Sequence, residues 1–84
     1  MKKKPKSEMT RLVVHAPIMT KEVMMALRDW EPIEGVRFTL VRRNSFTLIF
    51  EVSTASGYQA RGLAIKRLEA EGLADTQDLD VSVL

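Results

Sequence analysis

The sequence VRFTLVRRNSFTLIFEV, which runs from Val36 to Val52, alternates apolar and polar residues in two blocks. In both blocks the apolar residues hold even-numbered positions, namely Val36, Phe38, Leu40, Phe46, Leu48, Phe50 and Val52. A strand that buries one face and exposes the other shows this period of two. We therefore predict strands over residues 36–42 and 46–52, with all three phenylalanines facing the core.

The shared parity of the two blocks predicts the register of the hairpin that they form. Directly opposed residues in an antiparallel pair lie on the same face. Even-numbered residues must therefore pair with even-numbered ones, which requires a loop with an odd number of residues. We predict a three-residue loop at 43–45, with Phe38 opposite Phe50 and Arg37 opposite Glu51. A two-residue turn would refute this register.

The flanking sequence predicts two helices and two more strands. Helices are expected over residues 20–30 and 54–71, where apolar residues recur at helical spacing, and strands over residues 11–16 and 79–84. The resulting order, β-α-β-β-α-β, is the split βαβ or ferredoxin-like arrangement. It predicts an α+β fold, a two-layer sandwich built on a four-stranded antiparallel sheet of order 4-1-3-2. Both helices should cover one face of this sheet and leave the other face open.

The ends of the helices carry recognisable capping residues. Thr20 is the expected N-cap of the first helix, and Ser53 or Thr54 that of the second. Gly72 is expected just beyond the second helix, in the left-handed conformation that ends many helices. Within that helix Arg61 lies beside the apolar stripe. We expect its side chain either to extend along the helix edge or to bind an anion near the first turn.

Length and composition limit the class of protein. The 84 residues are enough for one domain. The absence of cysteine excludes a disulfide framework and a thiolate metal site, and it favours a reducing cytoplasm. No apolar run approaches the roughly 20 residues of a membrane span. The single histidine has no serine or carboxylate at a recognisable spacing, so we expect no catalysis, no metal and no cofactor.

Positive charge is concentrated at the N-terminus. Four of the thirteen Lys and Arg residues are Lys2, Lys3, Lys4 and Lys6, which leaves nine against eleven Asp and Glu residues, a charge of −2. Residues 1–8 are predicted to be a disordered basic tail and residues 9–84 a single domain. Domains that bind nucleic acid usually carry a basic stripe on the body, and this body is slightly acidic.

The alternation also predicts what the open face displays. If the first strand turns Leu12 and Val14 towards the core, the open face carries a few apolar side chains among charged ones. The residues expected to bind a partner are Arg11, Val13, His15, Arg37, Val41, Ile49 and Glu51. We therefore expect a small non-catalytic module that acts by protein–protein contact, as a homodimer or by docking on a larger partner. Regulatory subunits and accessory or inhibitor proteins both fit this description.

Nucleic-acid binding is the alternative function. It would use the lysines of the tail, Lys2, Lys3, Lys4 and Lys6, together with Arg42 and Arg43. Stacking of bases on the sheet, as in RNA-recognition motifs, is not expected, because the inward phenylalanines leave the open face without an aromatic residue.

A small-ligand site is a third possibility. The order and length of the elements are similar to those of amino-acid-binding regulatory (ACT) domains. The first loop of those domains carries an acidic residue followed by Pro-Gly, whereas here Ile18 follows Pro17. The resemblance implies a regulatory ligand held between residues 17–20 and a neighbouring subunit.

Overall fold

The described parts of the chain form four strands and two helices, which follow one another in the predicted order. They are β1 (Thr10–His15), α1 (Thr20–Arg28), β2 (Phe38–Asn44), β3 (Thr47–Val52), α2 (Gly57–Ala70) and β4 (Asp80–Val83). The computed structural model describes residues 9–28 and 35–84. The predicted tail at residues 1–8 and the predicted end of the first helix at residue 30 lie outside the described residues.

The strands form one antiparallel sheet in the spatial order β2-β3-β1-β4. Burial alternates along β1 and β3, so the sheet has two distinct faces. The inner face carries the buried residues Leu12, Val14, Phe38, Leu48, Phe50, Val52 and Val81. On the outer face, every described residue is exposed or half-buried. The sheet and the two helices make an α+β fold, as predicted.

Buried side chains of both helices belong to the same hydrophobic core as those of the sheet. Val23 and Leu27 of α1, and Ala60, Ala64 and Leu68 of α2, have no exposed surface. Burial of one leucine side chain contributes about 1.5–3 kcal/mol. The predicted apolar stripes therefore hold the helices against the sheet. Neither described helix has the length and apolar character of a membrane-crossing segment.

The hairpin between β2 and β3 differs from its predicted register. Two residues, Ser45 and Phe46, connect the strands, where a loop of three was predicted. Phe38 stands opposite Val52 instead of Phe50. Ser45 has a φ of +56°, and a positive φ at the first central position is a feature of tight two-residue hairpin turns. The predicted register and the predicted loop at 43–45 are therefore wrong.

A β-bulge accounts for the two-residue turn. Leu40 pairs with Phe50, but the next pair in the ladder is Arg42 with Ile49, so Val41 and Arg42 together oppose one residue. Residues of equal parity pair before the bulge and residues of opposite parity pair after it. Residues of equal parity therefore pair where the strands pack on the core, but not near the turn, because the bulge interrupts the ladder.

The second helix begins three residues later than predicted. Ser56 is its N-cap, and the Ser56 hydroxyl accepts a hydrogen bond of 3.0 Å from the backbone N–H of Gln59. Thr54 remains tied to the sheet, because its carbonyl accepts a hydrogen bond of 2.6 Å from the hydroxyl of Thr10. The predicted cap at Ser53 or Thr54 is therefore wrong.

The C-terminal end of α2 confirms the prediction made from glycine. Gly72 has a φ of +74°, in the left-handed region. The N–H of Leu73 donates to the carbonyl of Leu68 at 2.8 Å, and the N–H of Gly72 donates to that of Glu69 at 3.0 Å. This pair of bonds is the Schellman motif. It satisfies carbonyls that the end of a helix otherwise leaves without a partner.

Candidate functional site

The register of the sheet aligns the outer-face residues in three rows that cross the strands. The polar row, at the end of the sheet that holds the β2–β3 turn, consists of Asn44, Thr47, His15 and Asp80. The apolar row, in the middle, consists of Val41, Arg42, Ile49, Val13 and Ser82. The charged row, at the other end, consists of Thr39, Glu51 and Arg11.

The apolar row brings together three predicted site residues. Val13 and Ile49 stand directly opposite each other on the two central strands. Both are half-buried, whereas Val41, at the bulge, is 43% exposed. In the part of the chain that the structure describes, no element buries this row. Val13 and Ile49 therefore face outward between a polar and a charged border, with the exposed Val41 at the adjacent bulge.

The charged row contains an ion pair between the central strands. Arg11 Nη2 lies 3.0 Å from Glu51 Oε2, and the two side chains are 54% and 31% exposed. A pair this accessible contributes only about 0.2–1 kcal/mol to folding stability. Both groups therefore keep accessible surface with which to meet another molecule.

Arg37 lies beside this row rather than in it. It precedes β2, its N–H donates to the Ser53 hydroxyl at 2.8 Å, and its carbonyl accepts from the Ser53 N–H at 3.1 Å. The predicted pairing of Arg37 with Glu51 is wrong, because the actual register places Thr39 opposite Glu51. Arg11, on the other side of β3, takes the ionic contact with Glu51.

The polar row contains His15 and ends at an aromatic ring. His15 Nδ1 and Thr47 Oγ1 lie 3.3 Å apart. The ring of Phe46 stands edge-on to the imidazole, with 4.9 Å between ring centroids. Phe46 is 42% exposed, so its predicted inward position is wrong, and the outer surface is not free of aromatic residues. Sequence reasoning missed Phe46 because the alternation continues through it into the turn.

Arg42 and Arg43 do not form one basic patch. Arg42 lies opposite Ile49 on the outer face, and Arg43 lies opposite Leu48, whose side chain is on the inner face. Nη1 of Arg43 is 3.7 Å from the sulfur of Met24 in α1. Successive strand residues point to opposite faces, so the two charges diverge. The four lysines of the proposed nucleic-acid site lie outside the described residues.

Both edges of the sheet carry features that disfavour an added strand. At the β4 edge, Arg61 Nε donates to the carbonyl of Val81 at 2.8 Å. The Arg61 side chain thus extends along the helix edge, the first of the two alternatives expected from its position. At the β2 edge, the bulge at Val41 interrupts the ladder. Since bulges and occupied backbone groups discourage edge pairing, the outer face is the more accessible surface for a partner.

The first loop, predicted to border a small ligand, makes the start of α1. The N–H of Val23 donates to the carbonyl of Met19 at 3.0 Å, so Met19, with a φ of +62°, holds the N-cap position. Thr20 was predicted there, and its hydroxyl instead donates to the carbonyl of Ala16. The described residues contain no group of three His, Cys, Asp or Glu side chains placed to hold a metal ion. The small-ligand site stays a prediction.

No protein-family model, curated protein or solved structure matches this chain. Its function is therefore inferred from the three rows of the outer face and from the elements that surround them.

Proposed function

We propose that the protein is a small non-catalytic module of the cytoplasm that binds another protein through the outer face of its sheet. The observation that carries this proposal is the apolar row, in which Val13 and Ile49 stand opposite each other, with the exposed Val41 at the adjacent bulge, between polar and charged rows. Protein interfaces combine an apolar centre with a polar rim in this way. A regulatory subunit, or an accessory or inhibitor protein, would act through such a surface.

The proposal includes a ferredoxin-like arrangement for the fold. The strand order β2-β3-β1-β4 reads 4-1-3-2 from the β4 edge, which is the order that this arrangement requires. Buried residues of both helices join one core with the inner-face residues, which supports a position of both helices on that side. An unoccupied second face is what makes this arrangement suitable for binding.

The proposed test places a charge in the centre of the apolar row. Ile49→Arg should abolish self-association or the capture of a partner, because an arginine there cannot be desolvated without a counter-charge. Tyr58→Arg is the matched control, since Tyr58 is 92% exposed on α2, away from the outer face. Light scattering after gel filtration measures self-association, and affinity capture from native lysate measures other partners. A strict monomer whose captured proteins are unchanged by Ile49→Arg would refute the proposal.

Nucleic-acid binding is the second proposed function, and the exposed ring of Phe46 favours it. A base that stacks on an aromatic side chain gains about 1–3 kcal/mol. Against it, Arg42 and Arg43 lie on opposite faces and offer no shared phosphate site. Deletion of residues 1–7 separates the two functions. Binding of nucleic acid, which needs the lysines of the tail, disappears together with its salt dependence, whereas binding of a protein through the outer face survives.

A further inference from the structure

We infer that the outer face binds a second copy of this chain, about a two-fold axis that runs parallel to the strands between β1 and β3. The inference rests on the proposed function, because it names the partner of the same surface. Two sheets that pack face to face keep their strands within about 30° of each other. A symmetric dimer with this packing needs a two-fold axis in the plane between the sheets.

This axis exchanges the two central strands. β1 of one copy then lies over β3 of the other, so residues that are register partners within one chain also meet between the chains. Val13 comes to face the partner's Ile49, which joins the two apolar rows into one centre. His15 comes to face the partner's Thr47, and these two residue types already lie in contact within one chain, at 3.3 Å.

The charges of the central strands match under the same axis. Arg11 lies over the partner's Glu51, and Glu51 over the partner's Arg11, so the four charges alternate in sign. Within one chain this pair is partly exposed, at 54% and 31% of the side chains. A guanidinium has five N–H donors and a carboxylate two acceptor oxygens, so each group is able to serve two partners at once.

Residues of the outer strands favour this axis over a two-fold axis that runs across the strands. The axis parallel to the strands lays β2 over the partner's β4, so that Arg42 faces the partner's Ser82 and Asn44 faces the partner's Asp80, with no like charges opposed in these rows. An in-plane axis across the strands, along the apolar row, would lay each strand over its own copy and set Arg42 against the partner's Arg42. Like charges opposed across an interface are unfavourable. The charge pattern therefore favours the parallel axis.

The size of the outer face predicts a weak dimer. Four strands at the usual spacing make a face roughly 19 Å wide and roughly 17 Å long. A contact of this size buries less than the about 1,200 Å² that mark standard stable interfaces. We therefore expect association that depends on protein concentration and is measurable between about 1 μM and 1 mM.

A charge-exchange experiment tests the inference. Arg11→Glu gives a chain with two acidic groups in the charged row, and Glu51→Arg gives a chain with two basic groups. Each variant alone should self-associate on the order of tenfold more weakly, because both ionic contacts of the charged row across the axis become repulsive. A one-to-one mixture should recover dimers as strong as those of the wild type, since opposite charges face each other again. The double variant Arg11→Glu with Glu51→Arg is the matched control and should dimerise like the wild type.

Sedimentation equilibrium measures the association, and circular dichroism shows that each variant is folded. A wild type that stays monomeric at every concentration overturns the inference, as do single variants that dimerise like the wild type or a mixture that gains nothing. The proposed function fails separately. If the wild type is monomeric but loses a captured protein with Ile49→Arg, the second copy is excluded and the outer face still binds a partner. If that variant captures the same proteins as the wild type, the proposed function fails too.

Discussion

Replacement by alanine of a glycine inside α2 and of the glycine just beyond its end should change the free energy of unfolding in opposite directions. Gly62 lies inside α2, and Gly72 follows the end of that helix with a φ of +74°. A Cβ added at either position meets no atom within 4 Å. Packing therefore does not distinguish the two substitutions. Only the backbone conformation does.

The expected magnitudes follow from that conformation. Within a helix, alanine is about 0.5–1 kcal/mol more favourable than glycine, so Gly62→Ala should raise the free energy of unfolding by this amount. A left-handed alanine costs about 1–2 kcal/mol. The reduced freedom of the unfolded chain offsets about 0.4–1 kcal/mol of that cost. Gly72→Ala should therefore lower the free energy of unfolding by roughly 1 kcal/mol, or about 4–8 °C in a domain of this size.

Urea unfolding followed by circular dichroism measures both effects at one fixed protein concentration, so that any self-association contributes equally. The two changes should add in the double variant, because the sites share no contact. Gly72→Asn is the control and should lower the free energy of unfolding by less than Gly72→Ala, since asparagine tolerates the left-handed region. Changes of the same sign at both glycines would refute the assignment of Gly72 to the end of the helix.

Three further changes test single contacts of the fold. Thr10→Val should lower the free energy of unfolding by about 1–3 kcal/mol, because it removes the donor to the carbonyl of Thr54. Thr10→Ser retains a hydroxyl donor, so it should retain most of the wild-type stability. Ser56→Ala should cost about 1 kcal/mol by the same measurement, as the loss of an N-cap, and an unchanged stability would contradict that role. Deletion of Val41 should leave the pairs on both sides of the bulge intact. Nuclear Overhauser contacts between strand neighbours should still show Arg42 opposite Ile49, and any other partner would contradict the bulge.

The alternation of residue types predicted the inner face well. Phe38, Leu48, Phe50 and Val52 are buried as expected, because a strand on a core can bury only every second side chain. The Schellman end of α2 at Gly72 was equally readable, since it depends on the conformational freedom of one residue. Each of these features is determined within a few neighbouring positions.

The outer face was predicted in part. Val13, Ile49 and Val41 lie together in the apolar row, and Arg11 and Glu51 lie in the charged row, as the strand order 4-1-3-2 implies. Arg37 lies outside the charged row because the actual register differs from the predicted one by two residues. Phe46 lies in the turn between β2 and β3 and not in a strand. The predicted and the actual register both place apolar residues opposite apolar residues, so the sequence pattern does not distinguish them.

Local sequence determined the order of the strands and helices, which side chains of the two central strands are buried, and where α2 ends. Contacts between distant parts of the folded chain set three other features: the bulge at Val41, the exposure of Phe46 beside His15, and the contact of Arg61 with the backbone of β4. The two groups of features differ in the range of the interactions that cause them. Periodicity and capping act between neighbours, whereas a register or an edge contact depends on the summed energy of residues that meet only after the chain has folded.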